Sequence, residues 1–342
     1  GYVLNGTIVL ILITCLVASL VTEVAGKKLV ISQAEITPTR SDLLERILLP
    51  IENYLGLEYL VDFAFSLKRP GSKTPLYALQ VIESGDQGEE DRGLSDHLMD
   101  KVIQHGNELH QYIVPVTRTD INKSTGIIHS VQEENITEVV IPWQEKVHLT
   151  ERLFGTDLEM LLNYTEKTVW ISRLIHPVST FKRIVVLYST NAEYEPGFAL
   201  WVRKTDLLAH QFNARINFYG PMAGFEKISE LLAEESQQIV AHTTIDSWND
   251  YSKLSTLLTK EDLIIAVTAR RGTLSYLSYM DTMSQLLYRF FRQNSFVLLY
   301  PEQNPTETMA TAIRPDEIDI TAIQENLGKV RKRVSGILTG KR

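Results

Sequence analysis

One alternation of short apolar runs and longer amphipathic stretches is written twice along this chain, and that repeat limits the folds open to it. In the first copy the apolar runs fall at Arg46–Ile51, Leu76–Ile82, Tyr112–Val116, Glu138–Trp143 and Thr168–Leu174. Runs this short and this continuous read as buried strands. Between them, helical spacing of apolar residues predicts helices at Leu57–Leu67, Leu94–His110, Ser124–Glu134 and Thr156–Glu166. The pattern restarts with strands at Lys182–Leu187, Ala214–Tyr219, Gln238–His242, Asp262–Thr268 and Ser295–Tyr300. Helices are expected between these at Phe198–Gln211, Phe225–Glu235, Tyr251–Leu258 and Asp281–Arg292. Strands alternating with helices make βαβ units and a parallel sheet. A repeat of about 135 residues is a duplicated domain and not a solenoid. The expected fold class is therefore α/β, with two tandem five-stranded, doubly wound domains at residues 43–176 and 177–304. His176-Pro177 marks the boundary, because proline discourages helix and central strand there.

The start of the chain is of another kind. Ile8–Thr22 is apolar and uncharged, and Lys27-Lys28 follow it. With Tyr2–Leu4 the uncharged stretch reaches about 20 residues, enough for one membrane-spanning helix. Basic residues after the span put the soluble part in the cytoplasm. Two other readings stay open: a signal peptide, for which Gly1–Thr7 lacks basic residues, and a buried core element. The favoured assignment is a transmembrane helix at 1–26 and a linker at 27–42. The chain is then the C-terminal piece of a longer protein, beginning at its last membrane helix.

Composition narrows the function. A net charge of −8 argues against a nucleic-acid binder, which needs a basic surface to neutralise phosphates. Cys15 is the sole cysteine, so neither an intrachain disulfide nor a cysteine zinc site can form, as suits a reducing compartment. His105 and His110 are five apart and off one helical face, and no His-Glu-x-x-His pattern occurs, so no metal is expected. The acidic stretch Asp86–Asp91 reads as a solvated loop, since calcium loops need ordered ligand spacing. With no Gly-x-Ser-x-Gly elbow and no nucleophile beside a base, the expectation is a protein that is not an enzyme.

In doubly wound folds ligands sit where a strand passes through a loop into a helix, and phosphates meet the helix N-terminus there. Arg270, Arg271, Gly272 and Thr273 follow the fourth strand of the second copy, and two guanidinium groups there suit a phosphate. Glu52 ends the first strand of the first copy, and Ser189 that of the second. These six residues are the candidate nucleotide site. Their competing readings are a solvated basic loop for the arginines and a helix cap for Glu52-Asn53.

On these residues the chain resembles the universal stress protein family, in tandem. The resemblance covers about 260 residues and implies two five-stranded parallel sheets, with ATP or another nucleotide as ligand class. The family's phosphate motif is Gly-x2-Gly, about nine residues, then Gly-Ser/Thr. Here the first copy keeps only Gly155 of these glycines and the second only Gly272. No cofactor is therefore assigned. Val3–Ile8 through Ala25-Gly26-Lys27-Lys28 also resembles the last membrane helix of bacterial cation/proton antiporters of the sodium/hydrogen exchanger type. Some of these carry stress-protein-like tails.

The last segment, 305–342, carries Ile320, Ile323, Leu327, Val330, Val334 and Ile337 on one face of a heptad-like helix. It suits docking on its own domain, dimerisation or an anionic inner leaflet. Together these readings give a regulatory region of a membrane cation/proton antiporter at the cell inner membrane. It cannot transport alone, and its expected partners are the transporter's membrane domain, a second copy and a nucleotide. The alternatives are a membrane-tethered nucleotide module and a dimerisation scaffold.

Overall fold

The ten apolar runs become ten strands: β1 Ile47–Pro50, β2 Leu76–Glu83, β3 Ile113–Asp120, β4 Glu138–Pro142, β5 Thr168–Arg173, β6 Arg183–Leu187, β7 Arg215–Tyr219, β8 Val240–Thr243, β9 Asp262–Val267 and β10 Ser295–Tyr300. The intervening helices are α1 Leu57–Ser66, α2 Glu89–Glu108, α3 Lys123–Glu133, α4 Gly155–Tyr164, α5 Phe198–Phe212, α6 Met222–Glu235, α7 Tyr251–Leu257 and α8 Met283–Phe290. The computed structural model describes residues 45–303 apart from 53–55, 85–88, 144–154, 236–239 and 245–250, together with Thr14, Cys15, Ala18 and Thr22. The rest of the apolar span, the linker and the tail lie outside the described residues. Among the described residues no helix is long and apolar enough to cross a membrane.

The strands form one sheet, in the order β3-β2-β1-β4-β5-β10-β9-β6-β7-β8. Each half keeps its own parallel order, and the halves meet where β5 pairs antiparallel with β10, Val169 opposite Tyr300 and Arg173 opposite Phe296. A strand edge left open is a row of unpaired N–H and C=O groups. Joining the two fifth strands closes two such edges at once. The expected pair of five-stranded sheets is therefore one ten-stranded sheet.

Alternation along each strand feeds two cores. Ile47 and Leu49 of β1 point into one, with Leu60 and Phe63 of α1, Val102 of α2, Trp201 and Leu208 of α5, and Ile228 of α6. Leu48 points into the other, with Ile128 of α3, Leu161 of α4, Leu254 of α7 and Leu287 of α8. Helices thus cover both faces, so an inner strand can be buried at every position, as Asp262–Val267 is, apolar after an Asp262 that pairs with Arg183 at 2.6 Å.

Differences from the expected elements have local causes. β3 runs eight residues and pairs with β2 along its whole length. Its outer residues Thr117 and Thr119 are exposed, so apolarity stops marking the strand after Val116. Pro115 is tolerated because β3 is an edge. The acidic stretch is partly helical, since α2 begins at Glu89. α1 is preceded by Gly56 in the N-cap position at φ 97°, so the cap expected at Asn53 is not where the helix begins. Asn122 does cap α3. Its side chain accepts from Thr125 N–H at 2.9 Å, and the Thr125 hydroxyl takes the Asn122 N–H at 3.3 Å.

A polar tie also crosses between halves. Lys204 Nζ of α5, 5 % exposed, lies 3.0 Å from Glu45, 2.8 Å from Glu138 and 2.5 Å from the Leu67 carbonyl. Trp170 Nε1 donates to the other Glu138 oxygen at 2.9 Å.

Candidate functional site

The carboxyl ends of β6 and β9 lie side by side, because these strands pair in parallel. Ser189 follows β6, and the loop 268–277 follows β9. The loop turns at Arg270–Thr273, where Thr273 N–H donates to the Arg270 carbonyl at 3.2 Å. Gly272 supplies the left-handed φ of 88° that the third position of such a turn takes. A Cβ there would meet nothing within 4 Å, so the glycine serves the turn and not a close approach.

The arginines do not form the expected phosphate clamp. Arg270 turns inward across the seam. Its Nε donates to the Leu162 carbonyl at 3.1 Å, and Nη2 to Thr165 at 3.2 Å and Lys167 at 2.7 Å. Nη1 donates to the Pro301 carbonyl. Burial lowers this guanidinium to about 10, against the pull of Tyr300, Glu166, Glu195 and Glu302. It therefore ties the end of α4 to the chain after β10. Arg271 is exposed and pairs with Asp281 at 2.7 Å and Glu159 at 3.1 Å. These partners raise its pKa, the hydrogen bond to Asp281 most. The Thr273 hydroxyl donates back to the Arg270 carbonyl at 3.0 Å. The helix expected from Asp281 begins at Met283, after a 3-10 turn at Ser278–Thr282, so its N-terminus is not beside the arginines in sequence.

Glu52 is in the other half, 3.3 Å from Lys123 Nζ. The loop that would complete its site, 144–154, lies outside the described residues. Of the two candidates outside the loop after β9, Ser189 reaches it. Its hydroxyl donates to the Ser275 carbonyl at 3.1 Å.

Ser275 is the centre of a cluster that the expected site omitted. Its N–H and its hydroxyl both donate to Glu195 Oε1, at 2.7 and 2.8 Å. Gln303 Nε2 donates to Glu195 Oε2 at 3.0 Å. Glu195 is 6 % exposed, Ser275 3 % and Ser189 2 %. The segment bearing Glu195 is pinned by a close approach: a Cβ on Gly197 would lie 2.6 Å from Glu302 N and 2.7 Å from Glu302 O. Nearby, Tyr188 donates its hydroxyl to the Pro221 carbonyl at 2.8 Å. Burial raises Tyr188, and it also raises Glu193, whose buried Oε2 has no hydrogen-bond partner among the described residues. A signal for the cluster was present in Glu195-Pro196-Gly197, an acid held just before a helix that follows strand and turn.

No family model and no curated protein matches the chain. Solved structures do share its fold. A universal stress protein from Archaeoglobus fulgidus DSM 4304 is 16 % identical, covering 77 % of this chain and 100 % of its own, with a TM-score of 0.52. A functionally unknown protein from Pseudomonas aeruginosa PAO1 is 14 % identical, covering 75 % and 93 %, with a TM-score of 0.52. The cytoplasmic domain of a prokaryotic cation chloride cotransporter is 11 % identical, covering 75 % and 95 %, with a TM-score of 0.51. What the chain shares with all three is a fold: an α/β architecture of the universal stress protein kind.

Proposed function

We propose that this chain is the regulatory region of a membrane cation transporter of the cation/proton antiporter type. The observation that carries the reading is the pairing of an uncharged apolar span at Ile8–Thr22 with a fold also found in a transporter's cytoplasmic domain. In this reading the span is the transporter's last membrane helix at the inner membrane, and the ten-stranded unit lies on the cytoplasmic side. The Lys204 and Arg270 contacts join the two halves, which suits a part that passes a bias to its neighbour. Binding of a ligand, a second copy or the membrane domain biases transport only through different affinity for two transporter conformations. The region moves no ion itself.

The test uses everted vesicles from cells expressing the whole reading frame. Cation-driven pH changes are compared between that protein and a version cut after Ser41. Removal of the region should alter the rate or its pH dependence while the remaining protein stays in the membrane fraction. Unchanged transport, or recovery of the uncut chain in the soluble fraction, would sink the reading.

A further inference from the structure

We infer that the rim formed by the amino ends of β6, β7, β9 and β10 is a docking surface for an anionic bilayer. The inference deepens the regulatory reading and rests on it, since it names lipid headgroups as a partner of the region.

The strand order gathers cations on this rim. Arg183 opens β6 and stands opposite Arg215 of β7. On its other side lies β9, with Asp262 opposite Arg183, and then β10, whose Phe296 stands opposite Arg173 at the end of β5. Neighbouring strands are about 4.8 Å apart, so these ends crowd together. Phe296, and Val185 two residues on from Arg183, belong to the core under α7 and α8, so Arg173 and Arg183 emerge on that face. Lys260 and Arg292 lie just before β9 and β10, and Arg289 is in the last turn of α8.

Little on this rim neutralises them. Arg215, Lys260, Arg289 and Arg292 are exposed, and among the described residues none meets a carboxylate. The acids at the start of β9 are already held, Glu261 by Lys182 at 2.6 Å and Asp262 by Arg183 at 2.6 Å. Farther along the rim, Glu52 and Asp120 of the first half hold Lys123 and Arg118 of their own. On the opposite rim, by contrast, Arg271 is shared by Asp281 and Glu159. The basic excess is therefore local, in a chain whose net charge is −8.

Two features favour lipid over nucleic acid or an acidic protein segment. Leu257 is 64 % exposed, and its carbonyl accepts from Arg183 Nη2 at 3.1 Å, so an apolar side chain stands among the cations. That mixture suits the boundary between headgroups and acyl chains. The Arg292 guanidinium lies 5.2 Å over Tyr288 and that of Arg289 5.5 Å over Phe290, and both rings are partly exposed. Stacking fixes the guanidinium planes and leaves their donor edges for phosphate oxygens. Each cation close to an anionic leaflet strengthens binding about five-fold.

The test places an environment-sensitive nitrobenzoxadiazole label on the full chain at Leu257→Cys, with Cys15→Ser so that no other thiol reacts. The added vesicles are phosphatidylcholine alone, or with about 30 % phosphatidylglycerol to give a negative surface. Emission should rise and shift to the blue with the anionic vesicles only. The change should disappear near 1 M salt, where the screening length is about 3 Å. Arg215→Glu, Lys260→Glu and Arg292→Glu together should raise the lipid concentration needed by at least about ten-fold. Lys101→Glu, Lys227→Glu and Arg271→Glu, equal in charge and elsewhere on the molecule, should leave it unchanged. A label at Arg271→Cys, on the opposite rim, should show no change, which separates docking of this rim from insertion of the apolar span or the tail. Gln in place of Glu repeats the test if the reversed chain does not fold. No response, an equal response to both vesicles, or one that survives the rim reversal would overturn the inference. So would a response to duplex DNA or polyglutamate without one to anionic vesicles. Those results would leave the transport assay untouched, and unchanged transport there would leave this surface as a membrane contact.

Discussion

Lys204 Nζ lies 2.8 Å from Glu138 Oε1, although the two residues belong to different halves of the chain. Glu45 stands 3.0 Å away on the same ammonium, so one buried cation holds two carboxylates. Removing it takes the buried positive charge from both, leaving Glu138 to the Trp170 indole and Glu45 to Arg69. Lys204→Ala should cost about 3–5 kcal/mol, the usual loss on breaking a buried pair from one side. Urea unfolding should show the lower midpoint with both halves still melting together. Two separated transitions would show that Lys204 couples the halves and does more than stabilise one.

The same ammonium sets a limit at high pH. Burial lowers its pKa, but Glu138 and Glu45 outweigh that and the net shift is upward. A raised folded pKa means the stabilisation is whole below the unfolded value, about 10.4, and fades as pH climbs through the folded one. Stability should therefore decline above about pH 10.4 in the unaltered chain. The decline should be much weaker when Lys204 and Glu138 are replaced by Met and Gln together.

At the other end of the scale is Asp120. Burial pushes its carboxyl up, but His129 at 2.6 Å, the Ile121 N–H, Thr125 and Arg118 hold it down at about 2. Its contribution is present above the unfolded value of about 3.9 and is lost as pH falls toward 2. Asp120→Asn should remove that part of the acid transition, read as a flatter stability curve between pH 4 and 2. An unchanged curve would count against it.

The two adjacent arginines should behave unlike each other. Arg270→Lys cannot serve four carbonyls with one point charge, and the stranded acceptors should cost about 3 kcal/mol in chemical denaturation. Arg271→Ala should leave the melting temperature where it was. The reverse ranking would count against Arg270 as the tie between α4 and the chain after β10.

Gly224 sits inside α6, where alanine is normally favoured by about 1 kcal/mol. Its Cβ would lie 2.7 Å from Tyr188 Cε2, so Gly224→Ala should instead destabilise, by about 1–3 kcal/mol. Thermal melting of the variant decides the sign.

How much of this was legible in the chain follows from what each feature depends on. β1, β5, β9 and β10 were readable because they are buried on both faces and so carry continuous apolar runs. β3 was only half readable, since its outer face meets water and its pairing is carried by backbone alone. The seam left no mark, because Val169 opposite Tyr300 is the kind of pair that any two apolar strands offer. Arg270 was misread for a related reason. An arginine beside a glycine turn suits a phosphate, but its partners here are carbonyls about 105 residues away, which no local pattern displays. Ser189 does follow β6 and reaches the loop after β9, whereas Glu195 was outside the expected set because a lone acid in a turn looks like any other surface acid.

The antiparallel join of β5 and β10 has a directional outcome. The strands of one half run against those of the other, so the carboxyl ends of the two halves open on opposite rims of the shared sheet. The loop that carries Ser275 lies at one rim and Glu52 at the other. A flat bilayer can lie along one rim at a time. The repeated pattern thus presents its two sets of strand ends in opposite directions.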